Sequence, residues 1–234
     1  MKTVKFLFVL LFILSTPLQL FGRVTESAEN LLRIIHKVNR HWQENNSPQV
    51  RSFWDNAAHH TGNMEVYELT GNTAYLKYST DWAEYNHWKG AASDNKAEWR
   101  YGYGETPQYV LFGDWQCCFQ TYADLYGIRG DDRRIARARE VLEYQMGTDK
   151  NDYWWWADGL YMVMPVMTKL YRITKNPLYL EKLYEYFSYA DSVMYDPEAG
   201  LYYRDGSFVY PKHSILGGKK DFWARGDGWV LAAF

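Results

Sequence analysis

The pattern of apolar residues along the chain predicts a protein built of helices. In four segments apolar residues recur at spacings of three and four, which is the spacing of one face of an α-helix. These segments are Phe119–Tyr126, Ile135–Met146, Leu160–Arg172 and Leu178–Met194. Long stretches in which apolar and polar residues alternate, typical of strands, are absent from the sequence. The pattern therefore predicts an all-α fold.

A short helix–turn–helix segment occurs three times in the sequence. The copies are Tyr67–Leu76, Tyr126–Ile135 and Tyr171–Leu180. Each copy joins the aromatic end of one helix to a tight polar turn and then to a new helix, for which Asn72, Asp131 or Asn176 is the expected N-cap. Their unequal spacing does not fit a regular solenoid. Repeated helix pairs of unequal length instead predict an α/α toroid, whose inner helices surround a central cleft.

The two ends of the chain carry separate predictions. Residues 1–22 have the pattern of a secretory signal peptide, because Lys2 and Lys5 precede the apolar run Phe6–Leu14 and a polar break follows. We expect cleavage after Gly22, export to the periplasm or the extracellular space, and no membrane contact after removal of the peptide. The chain stops at Phe234 within an apolar helical pattern. Residues 23–234 are therefore expected to be the N-terminal part of one α/α-barrel catalytic domain, incomplete at its C-terminus.

Composition excludes some classes of function and leaves others open. The net charge is −2 and no basic stripe runs along the chain, so the features of a nucleic-acid-binding protein are missing. The adjacent residues Cys117 and Cys118 are expected to be buried and unpaired, and no Cys/His cluster has zinc-ligand spacing. Aromatic residues make up 18% of the chain. That abundance fits a helical core, and it also fits a carbohydrate cleft in which flat rings stack on sugars.

Two carboxylates stand where general acid–base chemistry would need them. Asp114 and Asp158 each begin a predicted helix that ends in a copy of the repeated turn, and Asp158 follows three consecutive tryptophans. Either could be an ordinary N-cap, which stabilises a helix by ~1 kcal/mol. Alternatively, each could be a buried carboxyl whose pKa is raised by loss of hydration, as a general acid requires. Their equivalent positions predict that both lie at one end of the cleft, and paired carboxyls are the usual equipment of glycosidic chemistry.

Other candidate residues lie in three places along the chain. Arg225 stands between Trp223 and Trp229, where a guanidinium could bind a carboxylate and the indoles could stack on a sugar. A glycine-rich turn with a surface arginine is the alternative for this segment. His213 precedes it in a loop, and Trp54 and His60 begin another predicted inner helix. We expect Trp54 and His60 to reach the cleft.

Three segments carry a resemblance to a known family. Gly113–Tyr126, Trp154–Pro165 and Phe222–Ala233 resemble the unsaturated rhamnogalacturonyl hydrolases of glycoside hydrolase family 105 and, more distantly, the unsaturated glucuronyl hydrolases. The resemblance implies an (α/α)6 barrel with no metal and no organic cofactor. It implies that Asp158 is the general acid/base, that Asp114 is its partner, and that the substrate contacts include His213, Trp223, Arg225 and Trp229. Asp227 stands where this family usually has asparagine, which is expected to alter affinity for an anionic sugar.

The resemblance also implies a reaction. A 4,5-unsaturated uronic acid would be removed from the non-reducing end of oligosaccharides made by polysaccharide lyases, with Asp158 donating a proton to C4 and water adding at C5. Rhamnose from pectin is the expected next sugar, and galactose or sulfated rhamnose stay open. Two other classes also stay open: another α/α-toroid sugar enzyme, such as an inverting glycosidase or an epimerase, and a non-catalytic carbohydrate-binding protein. The oligomeric state is not predicted.

Overall fold

The computed structural model of the protein describes residues 27–234. The predicted signal peptide, residues 1–22, lies outside the described residues. The chain divides into two compact units, one ending at Ser47 and the other spanning Pro48–Phe234. In the first unit, residues 27–45 form helix α1.

The second unit is built almost entirely of helices. In chain order its elements are α2 (Trp54–Thr70), α3 (Thr73–Tyr85), a 3-10 turn (Lys96–Glu98), α4 (Gly113–Gln116), α5 (Cys118–Ile128), α6 (Arg133–Met146), α7 (Asp158–Thr174), α8 (Leu178–Met194), β1 (Tyr195–Asp196), β2 (Leu201–Tyr202) and α9 (Ala224–Ala233). The two short strands pair antiparallel. Among residues 27–234, no helix is long and apolar enough to cross a membrane. The predicted all-α class is confirmed.

The helices form hairpins in two layers. Helix α2 packs against α3, α5 against α6, and α7 against α8, and each pair is joined by one copy of the repeated turn. The first helices of the hairpins are neighbours in the order α2, α5, α7 and α9, while α6 packs on α8 behind them. An inner row backed by an outer row is the arrangement of an α/α toroid, so this prediction is confirmed.

The chemistry of the repeated turn follows its sequence closely. Gly71 and Lys175 adopt left-handed backbone angles, with φ of 68° and 59°, and their N–H groups donate to carbonyls four residues earlier. After the turn, a short polar side chain accepts a hydrogen bond from the backbone N–H two residues later, as seen at Asn72, Asp131 and Asn176. These contacts satisfy donors that a helix start would otherwise leave unpaired.

A proline inside α7 is accommodated by a neighbouring helix. Pro165 lacks the N–H that would bond to the carbonyl of Tyr161, so that acceptor is left open inside the protein. The Nε2 of Gln120, in α5, donates to this carbonyl at 2.8 Å. Helix α7 therefore continues through Pro165 as a single element to Thr174.

The core is rich in aromatic residues and contains the two cysteines. Large side chains such as Trp82, Trp154 and Tyr122 are fully buried. Cys117 and Cys118 are buried free thiols at the junction of α4 and α5. Both were expected to be buried and unpaired, and this is confirmed.

Candidate active site

The first residues of α2, α4, α7 and α9 meet at one cleft of about 560 Å³, a size usual for small-molecule sites. Trp54 begins α2, Asp158 begins α7, and Asp114 and Arg225 are the second residues of α4 and α9. The lining side chains are Trp54, Tyr103, Phe112, Asp114, Trp155, Trp156, Asp158, Arg204, Phe208, Asp221, Phe222, Trp223 and Arg225. The cleft thus contains Asp114 and Asp158 together, as their positions in the sequence predicted.

Two glycines allow the helix starts to approach one another. A Cβ on Gly113 would lie 3.0 Å from the Trp156 ring and 3.1 Å from Val163 of α7. A Cβ on Gly226 would lie 2.9 Å from the Trp223 ring and 3.6 Å from the Cβ of Ala157. The absence of a side chain at both positions therefore lets α4 and α9 pack closely against the start of α7.

Asp158 does not act as a helix cap. No side-chain hydrogen bond caps α7, and the buried Oδ1 of Asp158 has no hydrogen-bond partner among residues 27–234. Burial raises the pKa of this carboxyl to about 6, while the positive charges of Arg225 and Arg204 act in the opposite direction. The N-cap alternative is therefore wrong, and Asp158 is a desolvated carboxyl next to two cations.

Asp114 is also buried and also caps nothing. No side-chain hydrogen bond caps α4, and within the described chain the Asp114 carboxyl takes part in no hydrogen bond or ion pair. Burial raises its pKa to about 8, and the negative charge of Asp158 adds to the effect. Burial therefore favours the protonated form of both carboxyls, and the charge of Asp158 raises the pKa of Asp114 further.

Aromatic rings form much of the cleft surface. The ring of Phe112 lies 4.8 Å from Trp156 and 6.3 Å from Trp155, and it is nearly parallel to Trp155. The backbone of Trp156 pairs with Asp205 in an isolated antiparallel bridge. The consecutive tryptophans before Asp158 are thus held between the loop before α4 and the loop after β2.

Arg225 is positioned by an indole ring. Its guanidinium carbon lies 4.3 Å from the centroid of Trp223, and its side chain makes no ion pair within the described residues. Stacking on the face of the guanidinium leaves its N–H edge available for an anion.

Two other predicted contact residues touch side chains that line the cleft. His213 places its Nε2 2.7 Å from Oδ2 of Asp221, which does line the cleft. Trp229 packs its ring 4.5 Å from Tyr161 and edge-on to Trp54 at 6.5 Å. Neither residue lines the cleft itself, and their contact with a substrate stays a prediction.

The structure corrects the expectation that His60 reaches the cleft. His60 is 2% exposed, its ring stacks 4.0 Å from Trp82, and its Nδ1 lies 3.1 Å from the Ser79 hydroxyl. Burial lowers its pKa well below the usual value, so it is a neutral core residue. The spacing of His60 from Ala57 and Met64, which face the core on the same side of α2, was the available sequence signal.

Asp227 also differs from its expected role. Its Oδ1 accepts a hydrogen bond of 2.7 Å from the backbone N–H of Tyr202, and the residue does not line the cleft. Its carboxylate joins α9 to β2, so the expected effect of this charge on sugar affinity finds no support in the geometry.

Several lining residues were not predicted from the sequence. Tyr103, Arg204, Phe208 and Asp221 all lie in loops between helices, where no periodicity marks a functional face. The pairing of Trp156 with Asp205 brings one of these loops to the start of α7, and a contact so distant in sequence leaves no local signal. Among residues 27–234, no group of three or more His, Cys, Asp or Glu side chains could hold a metal ion.

Comparison with known proteins identifies the family of the chain. The sequence model described as Glycosyl Hydrolase Family 88 matches residues 28–234, nearly the whole described chain. The chain belongs to glycosyl hydrolase family 88. Together with curated relatives named unsaturated 3S-rhamnoglycuronyl hydrolases and a structural neighbour from family 105, this match confirms the resemblance predicted from the sequence.

Relatives of this family 88 chain include curated proteins and solved structures. An unsaturated 3S-rhamnoglycuronyl hydrolase of Formosa agariphila is 35% identical over 105 residues, which is 41% of this chain and 28% of the relative. A family 88 glycosyl hydrolase structure from Bacteroides vulgatus is 68% identical with a TM-score of 0.86, and covers 88% of this chain and 59% of its own. A structure described as a polysaccharide lyase is 70% identical with a TM-score of 0.86, over 88% and 58% of the two chains.

A more distant structure shares the fold alone. A family 105 glycoside hydrolase from C. acetobutylicum is 19% identical with a TM-score of 0.58, over 81% of this chain and 54% of its own. The chain therefore spans less than two thirds of the length of each of these relatives.

Proposed function

We propose that the protein removes a 4,5-unsaturated uronic acid from the non-reducing end of oligosaccharides produced by polysaccharide lyases. The observation that carries the proposal is the carboxyl of Asp158, which is desolvated, has no partner for its Oδ1 among residues 27–234, and lies in one cleft with Asp114 and Arg225. The name of the curated relative, an unsaturated rhamnoglycuronyl hydrolase, supports the same reaction class. The next sugar is proposed to be a rhamnose, from pectin or carrying a sulfate.

Substrate binding would prepare Asp158 for its role as an acid. In the free protein the charges of Arg225 and Arg204 lower the pKa of Asp158 against the effect of burial. A uronate carboxylate bound to Arg225 would neutralise the first of these charges, and the pKa of Asp158 would rise. Asp114, whose pKa is about 8, can supply the proton that Asp158 then takes up.

The chemistry itself is hydration of a vinyl ether. Protonated Asp158 donates its proton to C4, and the electrons of the C4=C5 bond form the new C–H bond, leaving positive charge shared by C5 and the ring oxygen. Water adds at C5 and gives its proton to the Asp158 or Asp114 carboxylate. The resulting hemiketal opens and releases the next sugar, so one water is consumed in each turnover.

A polysaccharide lyase activity is the second candidate, because a structure 70% identical to this chain is described as a lyase. The two reactions have opposite optical signatures. A lyase creates an unsaturated uronic acid and increases ultraviolet absorbance, whereas the proposed hydrolase destroys it. Separate assays of intact polysaccharide and of lyase products therefore distinguish the two activities.

The same assay tests the acid. Asp158→Asn is expected to abolish the loss of absorbance, because the amide has no proton to donate to C4. Asp81→Asn, an exposed carboxylate paired with Lys77 outside the cleft, is the matched control and should keep native activity. An Asp158→Asn protein that still consumes the unsaturated sugar would remove Asp158 from the mechanism. Activity on saturated oligosaccharides would indicate an ordinary glycosidase or an epimerase. Binding of the unsaturated substrate without turnover would indicate a non-catalytic carbohydrate-binding protein.

We also propose that the protein is exported to the periplasm or the extracellular space after cleavage near Gly22. The lysines and the apolar run of residues 1–22 support this. N-terminal sequencing of the protein from each cell fraction tests it, and an intact Met1 in an exported fraction would contradict cleavage.

A further inference from the structure

The cleft contains two guanidinium groups from different parts of the fold. Arg225 belongs to α9, while Arg204 follows β2. Both residues line the cleft that contains Asp158. The side chain of Arg204 is 53% exposed and open to a ligand.

Each guanidinium stacks on an aromatic ring. The guanidinium carbon of Arg204 lies 4.8 Å from the Phe208 ring centroid, and that of Arg225 lies 4.3 Å from Trp223. Neither side chain donates a hydrogen bond to another residue of the 27–234 segment. The Nε of Arg204 lies 3.4 Å from Oδ2 of Asp205.

Asp205 does not occupy the outer edge of Arg204. Its Oδ1 accepts hydrogen bonds from the backbone N–H and the hydroxyl of Ser207, which fix the carboxylate within the turn. The ion pair with Asp205 is made through Nε, and the two terminal nitrogens donate no hydrogen bond within residues 27–234, so they are available to a ligand. An arginine edge with two parallel N–H groups matches a carboxylate or a sulfate.

One uronate carboxylate is satisfied by one such edge, and the cleft offers two. An unsaturated uronic acid has a single carboxylate of its own, so a second guanidinium in the cleft fits an anion on another part of the substrate. Resting on the proposed function, we propose that Arg204 binds an anionic group, a sulfate ester or a second carboxylate, on the sugar to which the unsaturated residue is linked. Arg204 is then a residue that determines specificity, and Arg225 binds the uronate common to all substrates.

The side chain of Arg204 can be removed without loosening the loop that carries it. The contact that ties this loop to α7 is a backbone hydrogen bond of 2.9 Å from the N–H of Ala157 to the carbonyl of Arg204. Arg204→Ala keeps that carbonyl. Thermal unfolding of the variant provides the check that the fold is retained.

The experiment compares three substrates with the purified full chain. All three have the same unsaturated uronic acid, and the next sugar is neutral, sulfated or carboxylated. Arg204→Ala is expected to raise KM for one or both charged substrates by about tenfold or more relative to the neutral one, as for loss of a charge-assisted hydrogen bond. Arg204→Lys keeps the positive charge but lacks the paired N–H groups of the guanidinium. Its ratio of KM for the charged substrates to KM for the neutral one should lie between those of the native protein and Arg204→Ala. Arg225→Ala should raise KM for all three by a similar factor.

The possible outcomes separate the two proposals. A loss confined to the sulfated or to the carboxylated substrate supports the inference and identifies the anion. An equal loss on all three substrates, the neutral one included, overturns the role of Arg204 while leaving the proposed reaction intact. If the native protein consumes none of the three, the proposed function fails and the inference fails with it.

Discussion

The buried carboxyl of Asp114 predicts a dependence of stability on pH that is separate from activity. Burial and the charge of Asp158 raise the pKa of Asp114 to about 8 in the folded protein, whereas in the unfolded chain the carboxyl titrates near its usual value of about 4. The unfolded chain therefore loses this proton first as the pH rises. The carboxyl thus favours unfolding increasingly from about pH 4 to about pH 8.

The size of this effect follows from the two pKa values. Between about pH 5 and about pH 8, the unfolded carboxyl is ionised while the folded one stays largely protonated, which lowers the free energy of unfolding by about 3 kcal/mol. Asp114→Asn removes the titration. The variant should therefore gain about 3 kcal/mol relative to the native protein on going from the lower to the higher pH. The pH-independent effect of the amide cancels in this comparison.

Urea unfolding followed by tryptophan fluorescence at both pH values provides the measurement. Asp196→Asn is the matched control, because Lys220 and the Tyr203 hydroxyl hold the pKa of Asp196 well below its usual value. That carboxyl is ionised in both folded and unfolded chains above about pH 5, so the effect of its substitution should not vary over the range. If the effect of Asp114→Asn is equally constant, Asp114 is ionised in the folded protein and the reasoning from burial is refuted.

Two further predictions concern the packing that supports the cleft. Gln120→Leu should lower the free energy of unfolding by about 1–3 kcal/mol, because the Tyr161 carbonyl, left open by Pro165, loses its hydrogen-bond donor. Urea titration measures this change, and an unchanged midpoint would contradict the prediction. Gly90→Ala should destabilise the fold by more than about 3 kcal/mol, since its Cβ would lie 2.1 Å from the Trp115 carbonyl oxygen. Gly62→Ala is the control: it has open space within α2 and should stabilise by about 0.5–1 kcal/mol.

The sequence was sufficient for the helices and for much of the site, because both depend on local patterns. Helix α8 has the bounds that its apolar spacing predicts, Leu178–Met194, and the repeated turns place Asp114 and Asp158 at the same end of neighbouring helices. His60 was misplaced because a histidine between apolar neighbours is compatible with a core or a cleft. The distinction depends on Trp82, which comes from another helix.

The roles of single charges were harder to predict than the positions of helices. An aspartate at a helix start is usually a cap, and only the lack of any side-chain hydrogen bond at Asp158 excludes that role. Arg204 lies in a turn whose sequence resembles any polar loop. Its place in the cleft depends on the approach of β2 to the start of α7, which is a property of the tertiary fold.

The backbone pairing between the loop after β2 and the segment before α7 has a consequence for how new substrate preferences could arise. The carbonyl of Arg204 accepts a hydrogen bond from the N–H of Ala157, and the backbone of Asp205 pairs with that of Trp156. These backbone contacts connect the residue proposed to select the substrate to the start of α7, where Asp158 is proposed to donate the proton. The side chain of Arg204 can therefore be exchanged without removing this backbone contact. Insertions or deletions that shift the register of the loop would displace the acid as well, which should restrict natural or engineered diversification here to substitutions.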